Sequence, residues 1–176
     1  MVNQNDPRVK RTQRLIEQSF WTLMKSQGFE KVSIATVTKK AGINRATFYA
    51  HYADKQSVLA HIALRAFHGG LPEEVRDASD FSPQVCAALI EATSEFVFSF
   101  YDVCGFAGNS FAARIDYLVR ADICDVVRSS MPAQPLTADV IGSALYGGIF
   151  GCYVRGESFD EAAATALADS VRGLLA

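Results

Sequence analysis

A chain of 176 residues, 49% hydrophobic and 20% charged, has the length and composition to bury a proper core, which excludes wholesale disorder. Its net charge of −2 conceals a division at His68. Residues 1–68 hold 11 Lys/Arg against 4 Asp/Glu, a balance of +7, while residues 69–176 hold 6 against 15, a balance of −9. A basic module joined to an acidic remainder points to a polyanionic partner for the first, although uneven scatter of solvated charge gives the same totals.

Helical spacing recurs along the chain, and few residues alternate as in strands, so the expected fold class is all-α. The first helix is expected from just after Pro7 to about Gln27, with Leu15, Ile16, Phe20, Leu23 and Met24 as its apolar stripe and Gly28 as its stop. Phe29 follows as an anchor. Ser33 is the expected N-cap of a second helix with Ile34, Val37 and Ala41 inward, and Gly42 ends it. Asn44 caps a short third helix, about Arg45–His51, and Asp54 caps a fourth that ends at Gly69-Gly70.

The segment GGLPEEVRDASDFSP, rich in turn formers and acids, reads as a boundary between domains of residues 1–68 and 69–176. Four further helices are expected at about 83–103, 111–129, 137–155 and 159–175. Cys86, Cys104, Cys124 and Cys152 lack zinc or redox spacing and read as reduced core thiols, so neither metal nor cofactor is expected. The N-terminal MVNQNDPRVKRT has no apolar run of a signal peptide, and Val140–Val154 is short for a membrane span. A cytoplasmic protein without a membrane partner is the expectation. No nucleophile elbow, phosphate loop or metal-spaced cluster argues for an enzyme.

Residues 33–51 have the spacing of a helix-turn-helix, in which the second helix can lie in a DNA major groove. Arg45 stands where its fork could meet guanine O6 and N7; Ala46 permits close approach; Thr47 and Tyr49 offer hydroxyls. Asn44 opens that helix and His51 ends it. Lys55, behind the Asp54 cap, reads as a phosphate anchor, with Ser33 and Thr36 across the groove and Lys10, Arg11 and Arg14 adding charge. The same spacing also serves hairpins that touch no DNA, in which Tyr49 fills the core and His51 is structural.

The stretch VSIATVTKKAGINRATFYAHYADKQSVL resembles the DNA-binding domain of the tetracycline-repressor (TetR) family of bacterial transcription regulators, and the likeness extends from about Arg8 to Leu59. It implies that Arg45, Ala46, Thr47 and Tyr49 face DNA, with His51 and Lys55 at phosphates. Tyr52 departs from the more usual phenylalanine, a difference expected to alter only core packing. The resemblance also implies a helical effector-binding and dimerisation domain beyond about residue 70.

Gly142, Gly147, Gly148 and Gly151 share one expected helix, where each costs about 1 kcal/mol relative to alanine and so implies close packing. Gly147 and Gly151, with Ala163, Leu167 and Val171 of the last helix, are expected at a homodimer interface; packing within one subunit is the competing account. Phe96, Phe100, Tyr101, Phe106, Phe111 and Tyr117 are candidate walls of an effector pocket, though core filling explains such aromatics as well. The function expected is a homodimeric regulator on an inverted-repeat operator in double-stranded DNA, a repressor released by an unidentified small molecule. The alternative is an activator, or a regulator controlled by a protein partner.

Overall fold

The computed structural model describes residues 6–105 and 111–175, and every regular element among them is helical. Two compact units divide the described chain: residues up to Ala63 with Val103–Gly105, and Leu64–Asp102 with the residues from Phe111 onward.

The first unit contains α1 (Pro7–Gln27), a single 3-10 turn (Phe29–Lys31), α2 (Ile34–Ala41), α3 (Arg45–His51) and the first half of α4 (Lys55–Gly70). The Asp6 carboxylate accepts the Arg8 amide at 2.8 Å, and Pro7 occupies a position that needs no amide hydrogen. Gly28, at φ +80°, ends α1 as its amide donates to the Met24 carbonyl at 2.9 Å. Ile16, Phe20 and Met24 are buried, whereas Leu15, expected beside them, is 39% exposed. The Phe29 ring meets Phe20 edge-on at 6.1 Å, so this residue anchors the connection as expected.

Short-range caps position the next two helices. The Ser33 hydroxyl accepts the Thr36 amide at 3.2 Å while the Ser33 amide donates to Thr36 Oγ1 at 3.1 Å, a reciprocal box at the start of α2. Gly42, at φ +68°, reverses the chain, and the Ile43 amide returns to the Thr38 carbonyl at 3.1 Å. Asn44 Oδ1 accepts the Thr47 amide at 2.7 Å to start α3. Asp54 Oδ1 accepts both the amide and the hydroxyl of Ser57, at 2.6 and 2.7 Å.

A carboxylate lies inside this unit. Glu17 of α1 is only 1% exposed. Its Oε1 accepts the Tyr52 hydroxyl at 2.7 Å and Nδ1 of His61 at 2.8 Å, joining α1, the C-terminal cap of α3, and α4. Tyr52 therefore does more than adjust packing where phenylalanine is more usual: its hydroxyl supplies a hydrogen bond to a buried carboxyl oxygen.

The second unit contains the end of α4, a one-turn α5 (Glu73–Arg76), α6 (Pro83–Cys104) as far as Asp102, α7 (Ala112–Ser130), α8 (Pro135–Arg155) and α9 (Glu161–Gly173). Two details differ from expectation. Helix α4 continues through Gly69 and Gly70, and the expected linker is folded onto the core by the buried Leu71 and Val75. The interior is aromatic: Phe96 stacks on Phe100 at 5.0 Å, Tyr146 on Phe150 at 5.5 Å, and the Tyr101 and Tyr146 hydroxyls meet at 2.9 Å. Burial pushes the Tyr146 phenol above its ordinary range. All four cysteines are free thiols; burial raises Cys86 and pushes Cys104 up to about 12, so neither forms a reactive thiolate readily. Among the described residues no helix is long and apolar enough to cross a membrane.

Packing between α7 and α8 depends on Gly142. A Cβ placed there would stand 2.8 Å from the Cys124 Cα, a backbone atom that cannot swing aside. Gly148 is different, because its nearest neighbour is the flexible Leu167 Cδ1 of α9 at 3.0 Å. Gly142→Ala should lower unfolding stability by about 1–3 kcal/mol through overpacking, despite alanine's better helix propensity. Urea denaturation of the two proteins measures this, and an unchanged or raised midpoint would refute the close approach.

Candidate nucleic-acid interface

Helix α3 has a buried side and an open side. Phe48 points into the core of the first unit, and Tyr52 follows it inward at the cap. Arg45, Ala46, Tyr49 and Ala50 are exposed, and their i, i+1, i+4, i+5 spacing makes one continuous strip. Tyr49 is 55% exposed, its ring edge-on to Phe48 at 5.6 Å. It is a surface residue rather than a core filler. Thr47 and His51 are half-buried at the margins of the strip.

Capping shapes what the other expected residues can offer. Asn44 is exposed, but its side-chain oxygen is committed to the Thr47 amide. Ser33 and Thr36 are exposed, and their hydroxyls are bonded to each other's backbone and to one another at 3.2 Å. Both therefore present the start of α2 more than free hydroxyls. On α1, Lys10, Arg11 and Arg14 line a surface hollow with Pro7, Leu15 and Gln18. Lys39 and Lys40, exposed in the last turn of α2, add two cations immediately before the Gly42 reversal. The sequence reading did not single them out, although a lysine pair beside a helix-turn-helix turn was the available signal.

Lys55 departs from expectation. Its Nζ donates to the carbonyls of Phe29, Glu30 and Val32, at 2.9, 3.2 and 3.2 Å, and lies 4.3 Å from the Phe29 ring centroid. The Glu30 carboxylate is a further 3.9 Å contact. An ammonium has three N–H donors, and here all three have protein acceptors. The free phosphate anchor expected from its place at the start of α4 is not what this geometry presents.

In the second unit, Phe96, Phe100, Tyr101 and Phe111 are buried within the core. Tyr117, at 62% exposure, lies on the surface and walls no enclosed space, which corrects its expected place; Phe106 lies outside the described residues. A groove in this unit instead runs between α6 and α9, lined by Ala87, Ile90, Glu91, Phe159, Ala164 and Asp169 among others. None of the expected aromatics among the described residues lines it. Among the described residues, no group of His, Cys, Asp and Glu could hold a metal ion.

The expected interface residues also separate. Gly147 is exposed with nothing near its Cβ position, whereas Gly151 faces the Arg155 guanidinium of its own helix at 3.0 Å. Ala163 is half-buried, as is Leu167, which packs on Gly148. Val171 is 1% exposed within its own chain, so it is core and unavailable to a partner. Physically, the last helix turns Val171 inward while Ala162, Ala166, Ser170 and Leu174, at helical spacing, face out.

Comparison with known proteins supports this organisation. The family model for bacterial regulatory proteins, tetR family, matches residues 21–62, the end of α1 through α4's first turns. The HTH-type transcriptional regulator YxbF of Bacillus subtilis is 38% identical over 64 residues, which cover 36% of this chain and 17% of YxbF. The dhaKLM operon transcriptional activator DhaS of Lactococcus lactis is 30% identical over 70 residues, 40% of this chain and 35% of DhaS. The chain thus spans about a third or less of these curated relatives. The solved structure of Salmonella enterica GusR covers 98% of this chain and is itself covered to 99%, at 16% identity and a TM-score of 0.55, a likeness of fold. With hairpin spacing, caps and family match in agreement, residues 21–62 are similar to the helix-turn-helix domain of bacterial regulatory proteins of the tetR family.

Proposed function

We propose that the chain acts as a homodimer that binds an inverted-repeat DNA operator and represses transcription until a small molecule releases it. The observation that carries the DNA-binding part is the open strip of α3, with Arg45, Ala46 and Tyr49 exposed on a helix whose other side is fixed by Phe48 and Tyr52. Base edges are read by such a strip, and the cations of α1 and α2 supply the sequence-independent attraction to phosphates. The activator reading keeps a place because DhaS, a relative through the same domain, is named as an activator.

Two-fold assembly follows from the limited reach of a seven-residue recognition helix. A dimer would present two of them to successive major grooves about 34–36 Å apart. Support comes from α8, where Leu136, Val140, Gly147 and Val154 recur at helical spacing and remain exposed, Leu136 at 76% and Val154 at 64%. Exposed apolar residues in such a row favour burial against another surface.

Selection of bound duplexes from random DNA tests the central reading. An inverted repeat should emerge, and Arg45→Ala should lower affinity for it by about tenfold while relaxing preference at one base position in each half-site. Recovery of no preferred sequence would defeat the proposal.

Gly147→Glu tests the assembly separately, since open space around this position leaves the fold of the single chain undisturbed. Sedimentation should show the variant as a monomer with an unchanged helical spectrum; a variant dimer as tight as the parent would exclude this face. The effector part is supported by the groove between α6 and α9, whose lining sets Ala87, Ile90 and Phe159 beside Glu91 and Asp169. A thermal-shift screen of diverse small molecules should yield compounds that raise the melting temperature and weaken operator binding. If stabilising compounds leave operator affinity untouched, that part of the proposal is lost.

A further inference from the structure

The Lys55 ammonium occupies a small cage of backbone oxygens in the first unit. The carbonyls of Phe29, Glu30 and Val32 belong to the 3-10 turn and to the residue after it, which directly precedes the Ser33 cap of α2. The Phe29 ring, itself buried, forms the floor at 4.3 Å. Three carbonyls that point to one place repel one another and would otherwise need water. One cation satisfies all three and is held further by the ring face. The first residue of α4 is thereby tied to the connection between α1 and α2.

We propose that Lys55 is a positioning residue for DNA recognition: it fixes the start of α2, and through the short Gly42 turn the setting of α3, without itself binding phosphate. This rests on the DNA-binding reading above. The alternative role, a phosphate contact, needs the ammonium free of the cage. The two roles separate in the salt dependence. A lost phosphate contact lowers the slope of log K against log salt by about 0.9, whereas a lost positioning residue leaves that slope intact. They also separate under conservative replacement. Arginine retains the charge for phosphate, but its planar fork cannot direct three donors into a cage shaped for a compact ammonium.

The test uses the full chain with Lys55→Met and Lys55→Arg, each checked for a native helical spectrum and assayed well below its melting transition. Probes are the duplex recovered by selection and a random duplex, over a series of salt concentrations. Positioning predicts that both variants lose operator preference over random DNA by about tenfold, comparable to one misplaced base contact, with unchanged random-duplex affinity and salt slope. Backbone amides from Val32 to Val37 should exchange faster in both variants without DNA, because the connection has lost its tie. A reduced slope in Lys55→Met, or full restoration of operator preference by Lys55→Arg, would overturn the inference in favour of phosphate contact. Melting temperatures that fall with no change in operator preference would reduce the cage to a purely structural role and overturn it as well. Should the wild-type chain prefer no duplex, the DNA-binding reading fails; the exchange measurement would still decide whether the cage holds the connection.

Discussion

The hydrogen-bonded carboxylate of Glu17 is the interaction on which the first unit depends. Burying a carboxylate costs several kcal/mol unless hydrogen bonds replace the lost water, and Tyr52 and His61 both supply bonds to the same oxygen. Apolar contacts among Ile16, Phe20, Phe48 and Leu59 drive the helices together but tolerate small rotations. A shared polar atom does not. With Tyr52 as the C-terminal cap of α3, a rotation of that helix would pull its hydroxyl off Glu17 and leave a buried carboxyl oxygen poorly satisfied. The open strip of Arg45, Ala46 and Tyr49 is consequently held at a definite angle to α1 and α4. On the proposed function, that angle is what meets the base edges.

Polar ties of this kind recur in the unit, and each acts on backbone ends. Ser33 and Thr36 close the start of α2, Asn44 starts α3, and Asp54 starts α4. Lys55 collects the carbonyls of the intervening turn. Helices of seven and eight residues are too short to hold themselves in water, so their persistence comes from caps and burial rather than from propensity. The second unit solves a different problem. Apart from the one-turn α5 its helices are long, its interior is crowded with aromatic rings, and closeness is obtained where a side chain is missing, at Gly142 against the Cys124 backbone.

Much of this was legible in the chain. Asp54, Asn44 and Ser33 cap helices because short oxygen-bearing side chains reach the first free amides, a relation confined to three residues. Gly28 and Gly42 end helices because only glycine adopts their positive φ without strain. Other residues misled for equally definite reasons. Lys55 read as an exposed cation beside a cap, but its acceptors lie some 25 residues away in sequence, at Phe29, Glu30 and Val32. The Tyr52 hydroxyl finds Glu17 at a separation of 35 residues. Val171 fits an outward stripe until the rotation of α9 about its own axis is known, and Tyr117 resembles its buried aromatic neighbours until its helix face is seen.

By itself the sequence determined the helical class, the turns at Gly28 and Gly42, the short third helix and the basic character of the N-terminal part, because each depends on interactions within a few residues or on composition. The tertiary structure alone decided which cations are free and which are consumed, which glycines meet backbone and which meet open space, and where the buried carboxylate finds its partners. Those outcomes depend on groups distant in the chain, and helix rotation, to which periodicity gives only an approximate guide, decides them.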